Sequence, residues 1–371
     1  MQETWPPASK HPRMTSAPNS PDFSRLYTAL MGGLPDRVPT AELKVDEPVK
    51  EAFLGRKFPA MKTDPRGYIE ADIEFQLAAG YDYLRVAPQV AYPEHWHSQD
   101  HQYSIYSDDT QTRKWAITGH GMIATDDDFE RFPWPDPAEA TYEWLEIAGG
   151  MVPPGMELLT SLKGGGIFER AWMLMGFEGF SIATLENPDL VARVLEKTGN
   201  VYYEYLRRAF ERPHVMGVWL GDDMAYGTGL MVSPTVHRQW VFPWYERIAE
   251  LCRSYTPQKA FIFHSDGLLW EVIPDLIECG IDALHPIDPT ALEIGEVKRR
   301  YGDQLCLIGN IDLGYTLTRG TPEETREEVR QRIATCAPGG GYVVSSANSI
   351  TEYVKLENYK ALLAAVREFG G

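Results

Sequence analysis

The sequence of 371 residues predicts an α/β fold, a single (β/α)8 TIM barrel. The first observation is a set of eight short apolar segments, nearly every one followed by a stretch with helical periodicity, which is typical of parallel strands and their crossover helices. The second is that polar residues come directly after these segments, where barrel enzymes carry their active sites. A doubly wound open sheet is the alternative, but no G-x-G-x-x-G motif follows the first segment. The predicted strands cover 38–43, 82–87, 157–161, 215–220, 260–264, 282–285, 305–309 and 342–345.

The N-terminal half of the chain carries two features outside the main repeat. Residues 1–21 contain five prolines and no apolar h-region, which predicts a flexible arm rather than a signal peptide. The barrel domain is therefore expected over 22–371, beginning with a short helix over 22–30. Residues 103–118 alternate in the manner of a β-hairpin around 107–109, as an insertion after the second strand.

The C-terminal half shows clear helix signals. Asn187 followed by Pro188 predicts a helix that runs to about residue 210, because asparagine caps helices and proline suits their first position. A helix beginning at Ser233 is expected to kink at Pro243. Residues 321–324 form a capping box that opens the next-to-last helix.

The composition excludes several classes of partner. Lys and Arg number 35 against 53 Asp and Glu, and the net charge of −18 repels phosphate backbones and anionic lipid surfaces. No apolar stretch is long enough to span a membrane. The four cysteines form no C-x-x-C motif, which indicates buried reduced thiols in a reducing compartment. The sequence therefore predicts a cytoplasmic protein that binds neither nucleic acid nor membrane.

In a barrel, the residues that follow the strands converge on one end. An aspartate at such a position often caps a helix, so the collection of polar groups points to a site more strongly than any one of them does. We predict His264, Asp266, Asp222 and Asp223 as catalytic residues. The strand-end polar residues are Glu42, Lys44, Arg85, Lys163, Asp222, Asp223, His264, Asp266, His285, Asp288, Asn310, Asp312, Ser345, Ser346 and Asn348.

His264 and Asp266 are two residues apart, so in extended backbone their side chains leave on the same face. This spacing suits an imidazole oriented by a carboxylate, or two metal ligands with further ligands from Asp222, Asp223 or His285. Glycines 164–166 either form a flexible turn or receive a carboxylate or phosphate. The histidines at 95, 97 and 101 are expected in a surface or lid element rather than in a metal cluster.

A set of motifs resembles the uroporphyrinogen decarboxylase-like superfamily, in which decarboxylases share a (β/α)8 barrel with corrinoid-linked methyltransferases. Their order and spacing agree along most of the chain from about residue 22. The motifs are PDRVP (35–39), FERFPWPDP (129–137), GDDMAYGTGLMVSP (221–234), HSDG (264–267), IPDLIECGIDALHPID (273–288), GNID (309–312) and GGGYVVSSANSI (339–350).

Two departures bear on the reaction that the resemblance implies. The decarboxylases carry an Arg-rich substrate stretch after the PDRVP-like motif, whereas this chain reads TAELKVDEPV, with no Arg and three acids. The thiol-alkylating methyltransferases bind zinc through His-x-Cys and a later Cys, whereas residues 264–266 read His-Ser-Asp and 338–340 read Pro-Gly-Gly. Oxygen ligands favour a harder, more Lewis-acidic metal.

The resemblance and these departures imply a methyltransferase that demethylates a small, largely apolar substrate and passes the methyl group to a corrinoid acceptor. A decarboxylase of a small carboxylated or porphyrinogen-type substrate and a non-catalytic binding barrel are the alternatives. The expected cofactor at His264 and Asp266 is zinc or another divalent metal, with a corrinoid only through a partner protein. Besides the substrate and that protein, a second copy of the chain in a homodimer is an expected partner. The predicted substrate-binding residues are Trp219, Tyr226, Trp270, His285, Asn310 and Ser346, with Phe263 and Tyr315 as further walls.

Overall fold

The computed structural model describes residues 20–371 except 88, 89, 91, 94, 95, 102–104, 107–110, 117, 118, 120 and 163. For 96–101 and 111–116 it describes the backbone alone. Most of the predicted arm over 1–21, the predicted turn at 107–109, His95 and Lys163 lie outside the described residues.

Eleven strands are present in the described part of the chain. They are β1 (Tyr83–Val86), β2 (Trp96–His101), β3 (Gln111–Ala116), β4 (Glu157–Thr160), β5 (Val215–Gly221), β6 (Ala225–Tyr226), β7 (Gly229–Leu230), β8 (Ala260–His264), β9 (Ala283–His285), β10 (Cys306–Ile308) and β11 (Tyr342–Val343).

Fourteen α-helices accompany them within the same described residues, together with a π-helical turn at His237–Val241 that precedes α10. The helices are α1 (Phe23–Leu30), α2 (Glu47–Leu54), α3 (Pro65–Ala79), α4 (Asp126–Arg131), α5 (Glu143–Gly149), α6 (Ile167–Met175), α7 (Phe177–Glu186), α8 (Pro188–Ala209), α9 (Pro234–Val236), α10 (Phe242–Arg253), α11 (Ile273–Cys279), α12 (Ile294–Tyr301), α13 (Pro322–Cys336) and α14 (Leu356–Phe369).

Seven strands form one curled parallel sheet in the order β1-β4-β5-β8-β9-β10-β11. The predicted TIM barrel is therefore confirmed. Because Gly221 pairs with His264 and His264 pairs with His285, three strands end at the same level of the sheet. This register brings the residues that follow β5, β8 and β9 to one end of the barrel.

The prediction of a regular strand over 38–43 is wrong. This segment occupies the eighth strand position but makes a single parallel bridge, between Thr40 and Val344. On its other side the hydroxyl of Tyr83 replaces a backbone ladder, since it donates to the carbonyl of Glu42 at 2.6 Å and accepts from the N–H of the same residue at 2.8 Å. A side chain thus joins the segment to β1 and closes the barrel there.

Helix α1 covers the N-terminal end of the barrel. The N–H of Phe23 donates to the carbonyl of Gly155 just before β4, and the hydroxyl of Tyr27 donates to the carbonyl of Gln258 just before β8. The N–H of Gly341 donates to the carbonyl of Gly33 just after the helix. With this end covered, the C-terminal ends of the strands form the barrel's mouth.

Local predictions outside the barrel strands are confirmed with small shifts. The hairpin pairs β2 with β3 in antiparallel register, so its first strand begins earlier than the predicted residue 103. Asn187 caps α8 by accepting from the N–H of Leu190, and Thr321 and Glu324 form the capping box of α13. Helix α10 has Pro243 in its first turn, directly after the π-helical turn.

The four cysteines are buried and free, as predicted. Three of them lie in helices α10, α11 and α13, and Cys306 lies in β10. No helix among the residues that the structure describes combines the length and apolar character needed to cross a bilayer.

Candidate functional site

Strand β8 points alternate side chains to opposite sides of the sheet. Phe263 is fully buried against Tyr245 of α10, with ring centroids 5.1 Å apart, so it belongs to the outer helix layer. The next residue, His264, faces the interior and contacts His285. This period of two is what a parallel strand buried on both faces dictates. It makes Phe263 part of the core rather than the pocket wall that the sequence suggested.

The mouth of the barrel brings Asp223, His264 and Asp266 together. One ligand atom of each lies within 4.8 Å of the other two. His264 Nε2 is 3.6 Å from Asp223 Oδ1, and the same oxygen accepts from the N–H of Asp266 at 3.1 Å. Three of the four predicted catalytic residues thus form one acid–imidazole cluster.

Asp266 has one oxygen with a hydrogen bond and one without. Its Oδ2 accepts from Asn348 Nδ2 at 2.5 Å, while its Oδ1 is buried and has no hydrogen-bond partner in the described part of the chain. Burial raises the pKa of this carboxyl group to about 6, against the opposing effect of nearby His264. A buried carboxylate oxygen without a partner normally costs stability, so Oδ1 fits a ligand that is itself positive or a proton donor. Two carboxylates and one imidazole suit a hard or borderline divalent ion.

A line of hydrogen bonds leads from this cluster into the barrel. His264 Nδ1 lies 2.7 Å from His285 Nδ1, and His285 Nε2 lies 3.2 Å from the hydroxyl oxygen of Ser345. Ser345 in turn donates to Glu42 Oε2 at 3.3 Å. Burial, followed by the nearby imidazole of His264, holds the pKa of His285 well below its usual value. The line therefore contains a neutral buried imidazole, and successive hydrogen bonds through it connect the cluster to Glu42.

Glu42 ends the line inside the protein. It accepts from both the N–H and the hydroxyl of Ser346, at 2.9 and 2.6 Å. Burial raises its pKa to about 8, even though these hydrogen bonds oppose the shift. Ser346, predicted to bind substrate, instead holds this buried carboxyl group in place. Glu42 was noted as a strand-end residue but not among the predicted site residues, because nothing near it in sequence reveals its burial.

Asp222 turns away from the cluster. Its carboxylate accepts from the N–H groups of residues 167, 168 and 169 at 2.7, 2.9 and 2.7 Å, and from the hydroxyl of Tyr245 at 2.7 Å. These amides form the N-terminus of α6, where a negative charge is stabilised. Gly166 lies so close that a Cβ there would be 2.4 Å from the carboxylate carbon. The contacts of Asp222 are therefore those of a helix anchor.

Glu169 is an acid of the mouth that the sequence reasoning missed. Burial raises its pKa well above the usual value, and the negative charges of Asp223 and Asp222 raise it further. Burial and these charges therefore favour the protonated form of this carboxyl group beside the cluster. The only sequence signal for it is its position in the first turn of the helix that follows the glycines at 164–166.

The predicted aromatic walls separate into three environments. Trp219 is fully buried under the histidine pair, with its ring edge-on to His285 at 5.2 Å. Tyr226 and Tyr315 are 54% and 50% exposed, so each has a free face. Trp270 packs on α12 beneath the guanidinium of Arg300, 4.8 Å from the ring centroid. The structure thus does not bring these rings to one pocket.

The other predicted positions lie around the interior. Asn310 is buried and donates to the carbonyl of Ile287 at 2.7 Å, while its own oxygen has no hydrogen-bond partner among the described residues. Gly165 and Gly166 line a cavity with Arg170 and Tyr202 beside the mouth. His97 and His101 lie in β2, which belongs to a two-stranded sheet separate from the barrel sheet.

The fold and the site place the chain in the class of (β/α)8 barrels whose acids and imidazoles converge where barrel enzymes carry their active sites. The chain belongs to the uroporphyrinogen decarboxylase family. Residues 119–369 match the model of that family, described as Uroporphyrinogen decarboxylase (URO-D). This finding confirms the resemblance seen in the sequence.

Relatives and solved structures agree with this placement. A uroporphyrinogen decarboxylase of Pseudomonas putida is 26% identical over 275 residues, covering 68% of this chain and 72% of that protein. A Pseudomonas fluorescens protein of the same name is 27% identical over 271 residues, with the same coverage.

Among solved structures, a methyltransferase from Methanosarcina mazei matches with a TM-score of 0.67 at 20% identity, covering 93% of this chain and 98% of that chain. A B12-independent methionine synthase from a Shewanella species matches with a TM-score of 0.50 at 11% identity, covering 90% and 96%. At these identities the two structures show the fold alone. The family and its structural neighbours are enzymes, decarboxylases and methyltransferases.

Proposed function

We propose that this protein is a methyltransferase that removes a methyl group from a small methylated substrate, such as a methyl ether, and passes it to a corrinoid carried by a partner protein. The observation that supports this most directly is the cluster of Asp223, His264 and Asp266, in which no described residue donates to the buried Oδ1 of Asp266. A cluster of this kind is suited to stabilising charge on an oxygen that loses its methyl group.

The donor atoms of the cluster fit a divalent cation. Asp223, His264 and Asp266 would hold it through two carboxylate oxygens and Nε2 of the imidazole, and zinc accepts such ligands. When bound, the ion supplies positive charge that stabilises the developing negative charge on the substrate oxygen. Asn348 and the N–H of Asp266 orient the two carboxylates for this role.

The leaving oxygen needs one proton, and the chain has a group that can donate it. In the reaction the carbon–oxygen bond breaks, the methyl carbon bonds to the nucleophilic acceptor, and the electron pair of the broken bond stays on oxygen. The protonated form of Glu169 is favoured by burial and by the nearby charge of Asp223, so this group can donate a proton to that oxygen, and solvent then restores it. The product is then a neutral alcohol or phenol.

Decarboxylation is the second candidate, because the relatives in Pseudomonas carry the name uroporphyrinogen decarboxylase. An octacarboxylate needs several cationic groups, and the stretch after PDRVP has three acids, no Arg and a single cation, Lys44. A barrel that only binds a small molecule has no chemical need for the acid–imidazole cluster. We therefore place demethylation first.

The test compares the wild type with His264→Ala and Asp266→Ala on methoxylated aromatic compounds with a reduced corrinoid acceptor, and separately on uroporphyrinogen. Metal content is measured on each purified protein. His214→Ala is the matched control, since His214 is half-exposed and pairs with Glu157 at the other end of the barrel.

We expect demethylation by the wild type and the control, and a loss of at least about 100-fold in the two site variants. Turnover of uroporphyrinogen by the wild type at an ordinary enzymatic rate would restore the decarboxylase assignment. Equal demethylation by the wild type and His264→Ala would remove that histidine from the mechanism. No turnover of any substrate, with small molecules still bound, would favour the binding barrel.

A further inference from the structure

Arg85 is a positive charge inside the barrel without an acidic partner. It follows Tyr83 by two residues on β1, so both side chains lie on the interior side of the sheet. Burial lowers the pKa of its guanidinium, and no carboxylate among the described residues opposes this shift. Within the described residues, no carboxylate forms an ion pair with Arg85.

The hydrogen bonds of Arg85 leave one edge of its guanidinium unused. Nη1 donates to the carbonyl of Leu43 at 3.0 Å, while Nε is buried and has no partner among the residues that the structure describes. Nη2 donates to none of the described residues. The unused Nε and Nη2 together form one edge of the guanidinium. In Arg238 the same two atoms donate to the carboxylate of Asp275, at 2.7 and 2.9 Å. This edge binds a carboxylate through two parallel hydrogen bonds.

Two other buried cations of the described chain are neutralised. Lys50 contacts Asp72 at 2.7 Å, and Arg25 contacts Asp36 at 2.7 Å and Asp82 at 3.3 Å. A buried charge without a partner is costly, so proteins keep one mainly where a ligand supplies the opposite charge. In a chain with 53 acidic residues, the isolation of one interior arginine calls for such an explanation.

Arg85 lies near the acid–imidazole cluster. Its Nη1 donates to the carbonyl of the residue next to Glu42, and Glu42 ends the line of hydrogen bonds that begins at His264. The residue is only partly buried, so it keeps some access to solvent. A carboxylate held at Arg85 would therefore lie close to the Glu42 end of the line of hydrogen bonds that leads through the histidine pair to Asp223.

We propose that Arg85 binds the carboxylate of the substrate through Nε and Nη2, which makes the substrate a small methylated monocarboxylate. That the substrate is methylated rests on the function proposed above, whereas the carboxylate site is inferred from Arg85 alone. One guanidinium edge serves one carboxylate, so this site also selects against substrates with many carboxylates. With its carboxylate held at Arg85, the substrate must have the length that places its methyl group at the cluster.

The experiment measures binding by calorimetry, without corrinoid or turnover, using 4-methoxybenzoate and its uncharged analogue 4-methoxybenzamide. The proteins are the wild type, Arg85→Met and Arg85→Lys. We expect the wild type to bind the acid at least about 10-fold more tightly than the amide, as a doubly hydrogen-bonded ion pair requires. Arg85→Met should lose this preference, and Arg85→Lys should keep part of it.

Equal binding of acid and amide by the wild type, no binding of the acid, or unchanged acid binding by Arg85→Met would each overturn the proposal. Thermal unfolding without ligand serves as the fold control: because the charge of Arg85 is buried and unpaired, Arg85→Met should unfold at the wild-type temperature or above it. If that variant fails to fold, Arg85→Lys carries the comparison. Charge-dependent binding without demethylation would reject the proposed function and keep the carboxylate site.

Discussion

The imidazoles of His264 and His285 face each other through their Nδ1 atoms at 2.7 Å, so one of them donates and the other accepts. Two arrangements are open to neutral rings. With Glu42 ionised, Ser345 donates to it and accepts from His285 Nε2–H, which leaves His264 Nε2 with a lone pair toward Asp223. With Glu42 protonated, the direction of every hydrogen bond in this line is reversed, and His264 Nε2 then carries a hydrogen. Glu42 thus controls which tautomer His264 presents.

This control leads to a prediction for Glu42→Gln. A glutamine amide donates toward Ser345 permanently, so it favours the tautomer of His264 in which Nε2 carries a hydrogen and binds no metal. We expect zinc affinity at pH 8.5 to fall by about 10- to 100-fold, the usual effect of losing an orienting partner behind a ligating histidine. Competition with a chelator measures it. Asp282→Asn is the matched control, because Asp282 is a buried carboxyl group at the opposite end of β8. An equal loss in both variants would contradict the role of Glu42.

The same carboxyl group makes stability depend on pH. Its pKa is 4.5 in the reference state and about 8 in the folded protein, so the folded state binds more protons between these values. The stabilisation is present below about pH 4.5 and is lost as pH rises through 8. Relative to Glu42→Gln, the wild type should lose on the order of a few kcal/mol between pH 5 and 9. Urea unfolding at several pH values measures the difference, and parallel curves for the two proteins would contradict it.

Asp222→Asn tests the helix anchor. An amide has one acceptor oxygen where the carboxylate uses two, so it cannot accept from residues 167–169 and Tyr245 together. We expect a loss of about 2–3 kcal/mol in the free energy of unfolding. Tyr245→Phe removes a single one of these bonds and should cost less. If Asp222→Asn instead kept full stability while losing activity, the residue would act in catalysis as the sequence suggested.

The thiols should be unreactive in the folded protein. Burial raises the pKa of Cys336 to about 11 and that of Cys279 to about 12, and Cys252 and Cys306 are fully buried as well. Because the thiolate is the reactive form, a colorimetric disulfide reagent at pH 8 should modify almost none of them. In denaturant it should count four thiols per chain. Rapid reaction of even one thiol in the native protein would contradict the buried placement.

The local features of this protein were predictable because short-range contacts decide them. The cap at Asn187 and the capping box at 321–324 involve residues three apart, and the structure reproduces both. Alternation along β8 directs His264 inward, since side chains of a strand alternate between its two faces. The segment over 38–43 was misassigned because a side chain of β1 replaces one of its backbone ladders, which no local pattern reveals.

The sequence by itself determined the barrel, the end at which its polar residues gather and the spacing of His264 and Asp266. Only the tertiary structure decided what each polar group does. Asp222 and Asp223 are adjacent acids that no sequence pattern distinguishes, yet one anchors a helix and the other faces His264. Glu42 meets Ser346 across 304 residues of chain. Partners so distant in sequence, and the burial that shifts their pKa values, exist only once the sheet has closed, because water otherwise solvates each group separately.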